Sequence, residues 1–488
     1  MEKKISFNEI KLSTLREYLQ RKNLKRTATT YKHFDKPLSN NIRCKIINEI
    51  IQNNNYVSSY RHLPFIEFPI VFQKYNRKKR KYNKTRIISL PSHHDAFLYK
   101  IYSKILYKSY EYYLTQNKLS EIPIAYRTGH SNITGARDAI DNIASQTSWV
   151  IKGDFSHFFD NLNHDVLMKN VKKVIESIDG GEFTDDWRSI LKNLMDYRYI
   201  KLDDIINNPT YNLKNRTSYV KDLKELDNLI ANNQLKVSRK HKVGIPQGTA
   251  LSAILANVYM VEFDEWIRKY LQRFNGFYRR YSDDFIIVIP DQEFSIEKIR
   301  EIEKTIIAKS RNNLFLTIKE SKTRLYYFDK NRREIFLLSS GSNTLDKSEL
   351  NYLGFSFNGI AVNLRPKTIY KFHYKGKKAV NSLAENMWIY KQTQKGMYNT
   401  EDENLNNWQK FVKESANKGY SIPKRKLYTQ MYLVTKPIKR KNFLSYAWNA
   451  QKIFSQSNEK YEVNILKSAL KQVGYLQRKF SEDKRNKE

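Results

Sequence analysis

The sequence predicts an α+β fold, an antiparallel sheet with helices packed beneath it. Three observations predict this. "SWVIKGDFSHFF" reads as an apolar strand that leads into an aspartate, with a helix to follow. "YRRYSDDFIIVIP" reads as two strands flanking a tight acidic turn. No glycine-rich phosphate loop follows a strand, which argues against a doubly wound parallel sheet. With 488 residues, of which 40% are hydrophobic and 13% aromatic, the chain can bury the cores of two or three domains. Its 15 glycines and 11 prolines are few, as expected of many helices joined by short connections.

Taken in order, residues 1–75 are expected to form an N-terminal helical extension of helices and loops. "LREYLQRKNL" and "NIRCKIINEIIQ" there carry apolar residues at helical spacing. After the basic run "RKKRKYNKTR" (77–86), "TRIISLP" predicts a short strand ended by Pro91. Residues 94–114 repeat apolar side chains every three or four positions, a long amphipathic helix. A strand runs into Asp154, and a helix begins near Asp165. Residues 173–242, polar and heterogeneous, read as an insertion of helices and loop. "GIPQGTALSAILANVYMVEFDEWIRKYLQ" (244–272) reads as a loop running into one long helix. The acidic hairpin follows, then a helix near 293–311 and short strands at "LFLTI", "TRLYYF" and "LNYLGFSFNG". From 366 the chain reads as largely helical, with breaks near Gly396, Pro423 and Pro437, and no repeat of fixed period is visible. The expected domains are 1–75, a central 76–360, and a basic helical region over 361–488.

Charge narrows the function. Lys and Arg number 87 against 50 Asp and Glu, a formal net charge of +37. Such an excess repels itself and calls for a polyanion, with nucleic acid first and a membrane surface second. A lysine-rich composition alone would spread the charge evenly. Instead, 77–86 holds seven cations in ten residues, and 365–488 holds 27 basic and 10 acidic residues. No apolar stretch reaches the roughly 18 residues of a membrane span, and the start lacks a signal-peptide core. Cys44 is the single cysteine, which excludes an internal disulfide and disfavours a cysteine-built zinc site. The nine histidines show no zinc spacing; His157 and His164 read as structural, and His93-His94 as a helix start. A cytoplasmic protein is expected.

Asp283 and Asp284 interrupt an apolar strand pair, where carboxylates are costly unless their charge is offset. Alone, the pair is explained as turn residues. Asp154, however, ends another apolar strand. Three carboxylates on adjacent strands would make an oxygen-only site suited to Mg²⁺ or Mn²⁺. Two such ions about 3.5–4 Å apart can activate a 3′-hydroxyl and stabilise a leaving pyrophosphate. Strand, helix and acidic hairpin in this order give the layout of a polymerase palm.

The neighbouring stretches, in order, resemble the conserved blocks of reverse transcriptases. "YSDD" (281–284) resembles the Y-x-D-D turn, "DFSHFFDNLNH" (154–164) the first catalytic block and "GIPQGTALSAILANVYM" (244–260) the P-Q-G block with its helix. "AYRTGHSNITGAR" (125–137), "KTRIISLP", "SKTRLYY" (321–327) and "YLGFSFNG" (352–359) resemble the remaining blocks, so that the likeness covers roughly residues 77–360. It implies a right-hand polymerase fold of fingers, palm and thumb, and synthesis of DNA from dNTPs. Asp154 and Asp283 would then bind both metals, with Asp284 nearby and the Phe155 carbonyl as a further ligand. Arg86 would grip the triphosphate, with Lys79 or Lys84 assisting. Gln247 would lie against the nucleotide, with Gly248 admitting close backbone approach. Lys322 would protonate or neutralise pyrophosphate. Phe159, five residues past Asp154, would exclude a ribose 2′-hydroxyl; Asp160, one residue on, marks the register on which that reading depends.

Within the family, "AYRTGHSNITGAR" and "FSHFFDNLNH" look most like the phage-defence (abortive-infection and unknown-group) enzymes. Some of these make DNA without a template or prime from a tyrosine, but 34 tyrosines single out none. The alternative is a group II intron maturase-like role, or a non-catalytic RNA-binding role on the same scaffold. An RNA-making polymerase is opposed by Phe159. Residues 366–488 would be thumb plus an extra helical region. There, basic charge mixes with Trp388, Tyr390, Trp408, Tyr428, Tyr432, Phe443, Tyr446 and Trp448, to stack on bases or to fill a helical core. The expected partners are an RNA template or noncoding RNA, a DNA product and dNTPs, without a membrane; a homo-oligomer is compatible.

Overall fold

The computed structural model describes residues 5–20, 22–24, 29–53, 55–76, 80–208, 217–240, 242–318, 323–339, 342–394, 431–435 and 442–485. The chain divides into two compact units: residues 1–129, 152–287 and 294–323, and residues 130–151, 288–293 and 324–488.

In the first unit, Phe7–Leu19 and Asn40–Gln52 are helices whose starts are set by Ser6 and Ser39, each side chain accepting from a first-turn backbone N–H. Next come β1 (Phe65–Asn76) and β2 (Arg80–Leu90), an antiparallel hairpin paired from Ile66 with Leu90 to Asn76 with Arg80. β1 contradicts the expectation of helices and loops up to residue 75. Pro69 disguises it. The strand β4 (Tyr197–Lys201) pairs with β1 only over Phe65–Glu67, so Pro69 lies where β1 has β2 as its one neighbour and needs no second ladder bond. β4 and β5 (Ser238–Lys240) also correct the helix-and-loop reading of 173–242, extending the order to β2-β1-β4-β5. One core holds these pieces together, with Phe34, Leu63 and Ile66 packed against Ile200, Ile205, Val220, Leu226, Leu229 and Leu235.

The long helix His93–Gln116 is capped by Ser92 and buries much of its length, as its apolar spacing predicts. The stretch expected to be one long helix after Gly248 is two, Ala250–Val258 and Val261–Gln272. "LFLTI" is not a strand: Leu314 ends the helix Ile296–Leu314, and Ile318 makes an isolated bridge to Phe155. β3 (Ser148–Asp154), β6 (Phe277–Tyr281) and β7 (Asp284–Pro290) form as predicted, with β7 between β3 and β6. Ile286 and Ile287 in β7 are fully buried.

In the second unit, β8 (Arg324–Asp329), β9 (Glu334–Leu338) and β10 (Leu345–Lys347) form an antiparallel ladder. β11 (Leu350–Tyr352), β12 (Phe355–Phe357), β13 (Ala361–Leu364) and the short β14 (Glu462–Val463) make a separate sheet in that order. The helices Pro366–Gln394, Phe443–Phe454 and Ile465–Arg485 follow, with Phe372, Val380, Tyr432, Val473 and Leu476 as a core. Phe443 stacks on Phe372 at 4.5 Å, and the Tyr446 hydroxyl accepts a hydrogen bond from Asn132 at 2.8 Å. Of the aromatics singled out from sequence whose side chains are described, only Trp448 is exposed, so the others serve packing. The side chains of Trp388, Tyr390, Trp408 and Tyr428 lie outside the described residues. Tyr370 and Tyr374, which the sequence reading passed over, are exposed as well. Among the described residues no helix is long and apolar enough to cross a membrane.

Candidate active site

The site is built where two strand ends meet. β3 delivers Asp154 at its last residue, and the β6–β7 turn delivers Asp283, with Asp284 as the first residue of β7. The turn is tight because Ser282 adopts a left-handed backbone, φ 57°. The Phe155 N–H donates to the Asp283 carbonyl oxygen at 3.0 Å, which ties the end of β3 to the turn. Beyond it, the Ser156 N–H donates to the Thr317 carbonyl oxygen at 2.9 Å. Phe155 itself is buried against Phe285 and Phe263. Gly153, unremarked in the sequence reading, makes the approach of the strands feasible: a Cβ there would lie 2.5 Å from Cε1 of Phe285. A glycine inside an apolar strand, next to an acid, was the available signal.

The Asp154 and Asp283 carboxyl groups lie within hydrogen-bonding reach of each other. Burial pushes the Asp283 carboxyl up from its ordinary value, its own backbone N–H pulls it down, Asp154 raises it further, and the Arg86 guanidinium lowers it. A half-buried pair of carboxylates in contact is an arrangement that a cation relieves. Among the described residues, no three His, Cys, Asp or Glu side chains make a metal-holding cluster. The pair nevertheless fits a hard divalent ion. Mg²⁺ takes one or two protein carboxylates and completes its shell with water and substrate phosphate.

The other residues form a second group. Phe159 lies in a one-turn 3-10 helix, Phe158–Asp160, half-buried edge-on to Phe158. Its carbonyl oxygen accepts from the Ile245 N–H at 3.0 Å, so the first block holds the P-Q-G loop. His164 Nε2 contacts the Gly244 carbonyl oxygen at 2.8 Å, a structural use of that histidine. Asp160 points outward and accepts from Gln247 Nε2 at 3.3 Å, which leaves Phe159 as the half-buried ring of the pair. The Ser89 N–H donates to the Gln247 carbonyl oxygen at 2.9 Å, so β2 carries this loop. Gly248, φ 124°, brings its backbone so close that a Cβ would meet the Ser89 oxygen at 3.0 Å. Ser89 was missed from sequence, where it is only one polar residue at a strand end. Its hydroxyl donates to Glu67, which also receives the Tyr197 hydroxyl.

Arg86 and Lys84 are exposed on β2, Arg86 opposite Ile70, with its guanidinium 5.8 Å from the Phe72 ring centroid. Lys79 and Lys322 lie outside the described residues.

A family model described as reverse transcriptase (RNA-dependent DNA polymerase) matches residues 76–357. The chain belongs to the reverse transcriptase family. Its mixture of helices and sheets is the α+β right-hand polymerase fold of that family. It is 24% identical to Protein YkfC of Escherichia coli (strain K12) over 206 residues, 36% of this chain and 43% of that protein. It is also 24% identical over 136 residues to the COX1/OXI3 intron 1 protein of Saccharomyces cerevisiae, 28% of this chain and 12% of that protein. The reverse transcriptase thus spans less than half the length of these two curated relatives. A solved structure, apo telomerase from Candida tropicalis truncated from its C-terminal domain, aligns with TM-score 0.39 and 12% identity over 69% of this chain and 63% of that one.

Proposed function

We propose that the chain polymerises deoxynucleotides on an RNA template at the strand ends that carry Asp154 and Asp283. The observation that carries this reading is the convergence of those two carboxyl groups, with the Arg86 guanidinium also acting on Asp283. Asp154 and Asp283, with Asp284 and the Phe155 carbonyl, would hold Mg²⁺ or Mn²⁺. A bound divalent ion supplies charge to a 3′-hydroxyl as it ionises and to pyrophosphate as it leaves. Asp283 must give up its proton before it can serve as a ligand, so its raised value sets an acid limit on activity. Arg86 offers a planar fork to the triphosphate, with Lys84 on the same strand or Lys79 assisting. Gln247 and Gly248 border the nucleotide, and Phe159 excludes a ribose 2′-hydroxyl by contact. Lys322 remains the proposed pyrophosphate cation. The basic 361–488 region, with exposed Tyr370 and Tyr374 on one of its helices, offers phosphate contacts and stacking surfaces to nucleic acid.

We further propose service in bacterial phage defence, on the strength of the two sequence blocks that look most like those enzymes. The enzymatic reading is tested by labelled dNTP incorporation on a primed RNA template with Mg²⁺. The Asp283→Asn/Asp284→Asn variant is expected to incorporate nothing, and wild-type incorporation by that variant would refute the assignment. Plaque counts in a host expressing the wild type or this variant test the defence role; equal protection by both would sink a polymerase-dependent defence.

A further inference from the structure

Directly behind the acidic turn lies an ion pair sealed from water. The Arg280 and Asp264 side chains are 0% and 1% exposed. Arg280 Nη2 donates to Asp264 Oδ2 at 2.7 Å, and its Nε to Oδ1 at 3.1 Å, a two-pronged pairing. The Tyr278 hydroxyl donates to the same Oδ1 at 3.0 Å. The remaining arm of the guanidinium, Nη1, donates to Asn257 Oδ1 at 3.1 Å and to the Ser282 carbonyl oxygen at 3.3 Å. Asn257 in turn donates to the Ala125 carbonyl oxygen at 2.8 Å. The Arg280 backbone finishes the join: its N–H donates to the Ile122 oxygen and its carbonyl accepts from the Ile124 N–H, both at 2.9 Å.

Two fully buried charges are a poor way to gain stability, because desolvation consumes most of their attraction. They are better suited to fixing one arrangement among several. Here the bonds lead somewhere particular. Ser282 is the left-handed residue of the turn, and its own hydroxyl is buried with no hydrogen-bond partner among the described residues. The Ser282 side chain therefore does not hold the turn. Arg280 grips its carbonyl, one residue before Asp283. A lysine cannot reproduce this, since only the planar fork reaches an acid, an amide and a carbonyl at once.

We propose that Arg280, clamped by Asp264 and Asn257, is a positioning residue for polymerisation: it holds the Ser282 carbonyl and thereby fixes where Asp283 points. The same clamp sets the register of the 122–125 segment and of the helix after the P-Q-G loop against the turn. This rests on the reading of Asp283 given above.

The test uses the full chain. Arg280→Lys and the apolar pair Arg280→Met/Asp264→Leu are compared with wild type and with Asp283→Asn by primer extension. Hydrogen exchange of the amides in 281–285 is measured without added metal. Both Arg280 variants are expected to stay folded by thermal melting, with kcat down about a hundredfold, the cost of roughly 1 Å of misplacement. The KM for dNTP should be unchanged, and the turn amides should exchange faster than in wild type. A folded variant with wild-type kcat and wild-type exchange overturns the proposal. The apolar pair leaves no buried charge unpaired, so it decides the matter if the lysine variant does not fold. Full activity in Asp283→Asn would instead overturn the reading of the carboxylates.

Discussion

Gly153 offers the sharpest test of how the carboxylates are brought together. Replacing it by alanine adds one methyl group, which would stand 2.5 Å from Cε1 of Phe285 and closer still to Cζ. Carbon atoms in contact prefer about 3.5–4.0 Å, so one side must retreat by about 1 Å. The Phe285 ring is 2% exposed and packed against Phe155, 5.4 Å between centroids, and cannot swing into solvent. The strand that carries Asp154 in the next position must therefore shift. Overpacking of this kind costs about 1–3 kcal/mol of stability. A displacement of about 1 Å at a reacting group costs on the order of a hundredfold in rate. Urea unfolding and single-turnover primer extension would read the two effects separately. Gly153→Ala should remain folded with a greatly reduced rate constant, and Gly153→Ala/Phe285→Leu should recover part of that rate by vacating ring volume. A Gly153→Ala enzyme with wild-type single-turnover rate would refute the close-approach argument.

Three further outcomes follow from the same geometry. Burial and the neighbouring Asp154 raise the Asp283 carboxyl in the folded state, so its ionised form opposes folding, and that cost grows as pH climbs from the ordinary aspartate range through the raised value. Asp283→Asn should thus stabilise the fold at pH 8 in chelator by about 1 kcal/mol, the order of a close charge pair in water-like screening, and raise the melting temperature accordingly. Added Mg²⁺ at about 100 times its Kd should stabilise wild type by about 2.7 kcal/mol and the variant by far less; a lower melting temperature for the variant in chelator would contradict the sign. Arg86→Ala should raise the KM for dNTP roughly 10- to 100-fold, as expected for a lost charge-assisted bond, and an unchanged KM would remove Arg86 from the nucleotide site. Phe159→Ala should narrow the preference for dNTP over rNTP by roughly 10- to 100-fold in competition assays, and an unchanged ratio would assign the gate elsewhere.

What the sequence made legible was whatever local periodicity and turn chemistry encode. Asp154 at a strand end, the Asp283-Asp284 turn and the long helix after Ser92 needed no knowledge of distant partners. β1, β4 and β5 did need it. Phe65 pairs with Tyr199, more than a hundred residues away, and a three-residue strand such as Ser238–Lys240 has no period of its own to read. The aromatics of the last quarter left two uses open for a related reason, base stacking or a helical core. Tyr432 and Phe443 look like stacking residues in a basic stretch until Phe372 is placed against them. Arg280 shows the limit most clearly. In a chain with 87 Lys and Arg, it reads as one more cation of the "RRY" pair. Its meaning comes from being wholly buried against Asp264, which lies on a helix 16 positions earlier. A buried charge must be paired, so an acid facing the inner side of an otherwise apolar helix is a signal that such a partner exists. Asp264, between Phe263 and Ile267 on the buried face of Val261–Gln272, carried that signal. A basic surface binds polyanions through many interchangeable cations, whereas this one arginine is distinguished by having no access to them.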